Sequence, residues 1–192
     1  MNTLHEKIIE LSKKHKLSHL GSNLTAVNII AEIYGKKREN EPFILSCGHC
    51  GLALYVVLEK YYGIDAEKLF LKHGIHPDRD EENKIYCSTG SLGMGIGIAT
   101  GMALADRTKN VYCLISDGEA FEGSVYEAAN VIRKYDIKNL KVYLNFNRLS
   151  AYDTIEGWML SNILRIFPVI EVRQTSVEDY GLNGLSAHYI NI

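Results

Sequence analysis

The chain has 192 residues, enough for one domain (residues 1–192), and 46% of them are hydrophobic, enough for a sizeable core. Its formal charge of -2 and isoelectric point near 6.4 leave no basic excess of the kind that holds nucleic acids or anionic membranes, so neither is expected as a partner. No apolar run reaches the ~20 residues that span a bilayer, and the charged start MNTLHEKIIELSKKHK lacks the apolar stretch of a secretory signal, so a cytoplasmic location is expected.

Leu4, Ile8, Ile9 and Leu11 recur at helical spacing and predict a helix over residues 4–14. A loop is expected from Leu17 to Leu24, holding His19-Leu20-Gly21-Ser22. A second helix is expected from Thr25, as its N-cap, to Tyr34. Phe43 to Ser46 follows a proline and reads as a short buried strand ended by Gly48. Helices are expected from Leu52 to Tyr61 and from Ala66 to Leu71, then a polar loop through His76-Pro77-Asp78. The glycine-rich turn Ser88 to Gly95 opens a helix of small residues from Ile96 to Asp106. Val111–Ile115 and Leu140–Leu144 read as buried strands, separated by a helix from Gly123 to Tyr135. Pro168–Val172 reads as a last strand. Strands alternating with helices predict an α/β fold, three layers deep, with a mainly parallel sheet covered on both faces. Ligands in such sheets bind beyond the carboxyl ends of the strands, where the polar and glycine-rich segments of this chain fall.

Asp117 and Asn147 each follow a predicted buried strand, and one helix separates the two strands. A right-handed crossover brings both side chains to the same sheet edge. A carboxylate, an amide oxygen and a nearby carbonyl are hard donors that suit Mg²⁺ or Ca²⁺, with phosphate oxygens completing the shell. Gly118 lets a phosphate approach the backbone, and the following helix start offers free N–H groups to it. Taken alone, the Asp117-Gly118 dipeptide fits an ordinary strand-turn-helix with Asp117 as a cap.

The whole run SDGEAFEGSVYEAANVIRKYDIKNLKVYLNFN resembles the thiamine diphosphate motif of transketolases, which begins Gly-Asp-Gly and ends at an asparagine about thirty residues later. The resemblance implies a thiamine diphosphate-binding fold, shortened near the C-terminus, in which Asp117, Asn147 and the carbonyl of Leu149 hold the metal. It places Gly118, Glu119 and Glu127 at the cofactor, with Glu122 a second helix carboxylate in a catalytic position. Two positions depart from the motif: Ser116 replaces its first glycine and Asn145 an aspartate near its end.

Other segments carry the same resemblance. HLGSNLT holds His19, LSCGHCGLALY holds His49, GIHPD holds His76 and SAHY holds His188. In the family these histidines surround the diphosphate and the oxygens of the substrate, and His49 is also at the cofactor. Imidazoles suit that place, since they donate to phosphate and pass protons to alkoxides. STGSLGMGIGIATGMALA resembles the family's turn against the cofactor, which implies contacts from Gly90, Ser91 and Leu92. Its glycines do not have the spacing of a dinucleotide loop. The tetrad Cys47-Gly48-His49-Cys50 has the form of a thiol–disulfide exchange motif, but Ser46 precedes it where an aromatic is expected and no thioredoxin pattern follows. Its cysteines are expected to pack beside His49. Cys87 and Cys113 lack paired zinc spacing, and all four cysteines are expected as buried or free thiols.

Transketolases pair a diphosphate-binding domain with a pyrimidine-binding domain that supplies a glutamate to the cofactor. No segment of this chain resembles the second. The resemblance therefore implies the N-terminal subunit of a split transketolase, working with a separate C-terminal pyrimidine-binding subunit in an α₂β₂ assembly. The implied reaction moves a two-carbon ketol unit from a ketose, a sugar or sugar phosphate, to an aldehyde. Two alternatives stay open: a thiamine diphosphate enzyme chain that works on a 2-oxo acid, and a non-catalytic partner-binding remnant. After Asn147 the family has a longer stretch, so a narrower sheet, or one with its edge covered by the partner, is expected.

Overall fold

In the computed structural model, which describes residues 3–167 and 170–189, four strands form one parallel sheet in the order of the sequence. They are β1 (Phe43–Leu45), β2 (Val111–Ser116), β3 (Leu140–Phe146) and β4 (Ile170–Gln174). β1 pairs with β2, β2 with β3 and β3 with β4, each in parallel register. Parallel neighbours need a crossover, and the chain supplies helices for each one. Between β1 and β2 run α3 (Gly51–Tyr62), α4 (Ala66–His73) and α5 (Met94–Ala105). α6 (Gly123–Lys134) links β2 to β3, and α7 (Gly157–Ile166) links β3 to β4. Two helices precede the sheet, α1 (Leu4–His15) and α2 (Leu20–Lys36), and α8 (Ser186–Tyr189) follows it.

Alternation along the strands sorts two cores onto the two faces. Phe43, Leu45, Tyr112, Leu114 and Tyr143 join residues of α1, α2 and α3. Ile44, Val111, Cys113, Ile115, Val142, Leu144 and Phe146 join residues of α5, α6 and α7. The result is the three-layer α/β/α sandwich expected from the pattern, with a narrow sheet. β4, an outer strand, is half-exposed along its length.

The structure departs from the sequence expectations in three places. α2 begins at Leu20, so most of the expected loop from Leu17 to Leu24 is helical and Thr25 lies inside the helix, not at its cap. Ser22, Asn23 and Thr25 are polar yet buried; that polarity masks an apolar face, which is the sequence signal of a helix. The residue before the helix is His19, in a left-handed conformation (φ 63°) with no side-chain cap. Gly157–Ile166 is a helix to which the sequence reading assigns no element. The last strand runs Ile170–Gln174, later than the expected Pro168–Val172, whose first two residues lie outside the described residues.

Among the described residues no helix is long and apolar enough to cross a membrane. The four cysteines are free and buried.

Candidate cofactor site

The carboxyl ends of β1, β2 and β3 open into one pocket of about 180 Å³. Beyond β1, Gly48–Cys50 forms a single tight turn that places His49 in the wall. Both glycines around that turn are sites of close approach. A Cβ on Gly48 would lie 2.6 Å from the amide nitrogen of Gly90, and one on Gly51 would overlap the carbonyl oxygen of Ile75. Their lack of side chains lets the loop of His76 and the turn of Gly90 close onto His49. Asn23 ties the same corner together: its Nδ2 donates to the carbonyls of His19 (2.9 Å) and His49 (3.3 Å), and its Oδ1 accepts from Ala53 N (2.8 Å). The rings of His19 and His49 stand 5.4 Å apart. Both cysteines of the CGHC tetrad are packed beside His49: Cys47 Sγ points to the carbonyl of Leu114 and Cys50 Sγ to that of Ser22, and the hydrogen bond with Cys47, with the nearby imidazoles, lowers the pKa of the Cys50 thiol to about 5 against the opposing effect of burial.

The opposite wall is built on hydrogen bonds. Asp117 follows β2 and is 2% exposed. Its Oδ2 accepts from Arg148 N (2.6 Å) and its Oδ1 from Gly118 N (3.0 Å). Burial raises its pKa to about 7, partly offset by those backbone donors. Among the described residues no ion pair reaches Asp117. Asn147 is 8% exposed; its Oδ1 accepts from Leu149 N (3.0 Å) and its Nδ2 donates to Thr25 Oγ1 (3.3 Å). Arg148 between them has a left-handed backbone (φ 65°), which turns its N–H onto Asp117.

Of the residues expected at the site, His19, His49, His76, Gly90, Leu92, Asp117, Gly118, Asn147 and Leu149 all line this pocket. Ser91 is exposed on the turn beside it and is not among the lining residues. Glu119, expected at the cofactor, is fully buried below the pocket. Its Oε1 accepts from Ser46 Oγ (2.5 Å) and Gly93 N (2.8 Å), and its Oε2 from Ser116 N (3.3 Å). It thus bolts the ends of β1 and β2 to the glycine-rich turn, a structural place that the Asp-Gly-Glu spelling alone does not reveal. Glu122 precedes α6 from an exposed position. Glu127 lines a separate groove between α5 and α6, with Met94 and Ile98. His188 is in α8, but its side chain lies outside the described residues. Ser22, Ser116, Asn145, Ser150 and Ala151 complete the lining; none is among the expected site residues, since Ser22 depends on α2 starting early, Ser116 and Asn145 are strand residues, and Ser150 and Ala151 belong to the turn after β3.

Electrostatics divides the histidines. Burial pushes the His49 imidazole down, but Cys50, through its charge and a side-chain hydrogen bond, and then the charges of Glu119 and Asp117 outweigh it, and the net shift is upward. Burial and the neighbouring His49 push His76 down. One pocket thus offers an imidazole that holds a proton more firmly beside one that releases it more readily.

The donor set suits a hard cation carrying phosphates. Among the described residues no cluster of three or more His, Cys, Asp or Glu side chains could hold a metal. One carboxylate, the Asn147 amide and the Leu149 carbonyl remain, all oxygens, and each keeps a lone pair beyond those used within the protein. A Cβ on Gly118 would press on Ser150 at 3.2 Å, so the glycine keeps this floor open.

Residues 8–180 match the family described as the thiamine diphosphate-binding domain of transketolase. The chain belongs to that family. It is 30% identical over 213 residues to one subunit of the apulose-4-phosphate transketolase of Phocaeicola vulgatus, covering 97% of this chain and 75% of that one. It is 39% identical over 125 residues to human transketolase, covering 59% of this chain. The chain spans only 20% of the length of that human relative. A crystal structure of transketolase from Campylobacter jejuni superposes with a TM-score of 0.70 at 20% identity, over 91% of this chain and 38% of that one. That likeness concerns the fold: the parallel sheet with helices on both faces belongs to the family.

Proposed function

We propose that this chain is the diphosphate-binding subunit of a split transketolase, which moves a two-carbon ketol unit from a sugar or sugar phosphate to an aldehyde. The observation that supports the reading is that Asp117, Asn147 and Leu149 line one pocket together with His19, His49 and His76, in a member of this family. A relative of which this chain covers 75%, at 30% identity, is itself named as one subunit of a transketolase, which adds to it.

In this reading Asp117, Asn147 and the Leu149 carbonyl hold Mg²⁺, or Ca²⁺, and the metal fixes the diphosphate of thiamine diphosphate. Asp117, a buried carboxylate with no cationic partner among the described residues, gains one when the metal binds. Gly90 and Leu92 line the pocket from the glycine-rich turn and would pack on the cofactor, with Ser91 at the edge, and Gly118 would admit the diphosphate. The cofactor, when bound, supplies the carbanion chemistry for breaking and forming bonds beside a carbonyl. The chain's own groups orient the reactants and move protons. His49 donates to anionic oxygens, and His76 takes protons from substrate hydroxyls. His19 and His188 complete the histidine set. Glu122 and Glu127 face the side where the partner and the second copy would assemble. A separate subunit brings the pyrimidine-binding domain in an α₂β₂ assembly, and the enzyme works in the cytoplasm.

The test is reconstitution with a separately encoded pyrimidine-domain chain. Two-carbon transfer from a ketose phosphate to an aldehyde, followed by mass spectrometry, is expected to need both chains, thiamine diphosphate and Mg²⁺, and to vanish in Asp117→Ala. Release of carbon dioxide from a 2-oxo acid in place of ketol transfer would overturn the reading.

A further inference from the structure

Thr25 lies at no expected ligand position, yet it occupies the centre of a buried polar cluster. It sits inside α2, 1% exposed. Its hydroxyl donates to the carbonyl of Ser22 (3.2 Å). Its oxygen accepts from Asn145 Nδ2 (3.0 Å) and from Asn147 Nδ2 (3.3 Å). One donation and two acceptances use the full capacity of a hydroxyl.

We propose that Thr25 is a positioning residue that fixes which way the Asn147 amide faces, and so makes its oxygen a standing metal ligand. The inference rests on the cofactor site proposed above. The hydrogen bonds decide the orientation. With Nδ2 on Thr25, Asn147 Oδ1 accepts from Leu149 N at 3.0 Å and keeps its second lone pair for the pocket. The flipped amide would face its NH₂ to the Leu149 N–H, donor against donor. It would also turn its oxygen to a Thr25 hydroxyl whose only proton is engaged by Ser22. Both errors are buried, where unsatisfied polar groups are costly.

Asn145 is fixed the same way. Thr175 Oγ1 donates to Asn145 Oδ1 at 2.7 Å, which leaves the Asn145 NH₂ for Thr25. Asn145 stands where the motif has an aspartate. A carboxylate there would meet the Thr25 oxygen without a proton to give it, so Thr25 and Asn145 suit each other as a pair. Partners that orient metal ligands in this manner typically account for roughly 10–100-fold in metal affinity.

The test uses the full chain with its pyrimidine-domain partner and reads the Mg²⁺ concentration that half-saturates thiamine diphosphate binding. Thr25→Val keeps the shape and removes the acceptor; it is expected to raise that concentration by about tenfold or more. Thr25→Ser restores the acceptor and is expected to stay within about twofold of the parent. A Thr25→Val protein that matches the parent would overturn the proposal. A second readout needs neither variant nor cofactor: in ¹⁵N spectra of the ligand-free chain, the Asn145 and Asn147 side-chain NH₂ groups should exchange slowly with solvent. Rapid exchange of the Asn147 NH₂ would overturn the fixed orientation. If the parent pair binds no cofactor while that NH₂ stays protected, the proposed function fails and the amide's orientation stands, so the two failures are distinguishable.

Discussion

The two walls of the pocket are made by different physics. The histidine wall is steric: Gly48 and Gly51 admit two loops so closely that a single added carbon would push them off. The Asp117–Asn147 wall is electrostatic: polar side chains and backbone donors, buried at the ends of β2 and β3, saturate one another except toward the pocket. The first wall sets shape and is stable without a ligand. The second holds a buried carboxylate that costs stability while no cation stands beside it. A site of this design trades stability for affinity on one side only.

The largest effect should expose that cost. In the ligand-free chain the folded Asp117 binds a proton up to about pH 7, whereas the unfolded chain releases it near the ordinary aspartate value of 3.8. The folded state therefore holds the extra proton between these values, and stability falls as pH rises through that window and levels off above it. The amplitude is at most about 4 kcal/mol, since each tenfold change in proton affinity corresponds to about 1.36 kcal/mol. Urea unfolding across pH, read as the difference between parent and Asp117→Asn, should show this fall; a flat difference would remove the cost assigned to the electrostatic wall.

On the steric wall, Gly51→Ala is expected to destabilise the fold by about 3 kcal/mol at every pH, through overpacking against the Ile75 carbonyl. Thermal melts would check it, and a loss below about 1 kcal/mol, the lower end for overpacking, would show that the loop of His76 yields. A smaller effect, of opposite sign, is expected between Asn147 and Leu149. Arg148→Gly relieves a left-handed backbone worth about 1–2 kcal/mol and gives back about 0.5–1 kcal/mol in chain entropy. The net gain should be about 0.5 kcal/mol, visible as a small rise in Tm. Smallest of all, Glu127→Ala, in the groove between α5 and α6 and away from both walls, should change stability by less than about 0.5 kcal/mol.

The same division explains what was legible in the sequence. The strands at Val111 and Leu140 were plain because parallel strands buried on both faces read as continuous apolar runs. The pocket positions of Asp117, Gly118 and Asn147 were plain because a long motif fixes their spacing, and those of His19, His49 and His76 because each carries a short local signature. Thr25 and Asn23 were not, since their work is done through partners that are 120 residues and 30 residues away. Their polarity also disguised the start of α2. Glu119 was misplaced for a related reason: a carboxylate next to a cofactor motif reads as a cofactor contact, and only the fold turns it inward to Ser46 and Gly93. The ten residues of α7 have amphipathic spacing but bury only Ile163 fully, so the segment passes for a connection between β3 and the last strand.

The central claim is that Asp117 and Asn147 bind thiamine diphosphate through a divalent metal. Calorimetric titration of thiamine diphosphate into the chain with its partner, with and without Mg²⁺, tests it most directly. Saturable binding that needs Mg²⁺ and is lost in Asp117→Ala is the predicted result; binding of equal strength without Mg²⁺, or in Asp117→Ala, would contradict it.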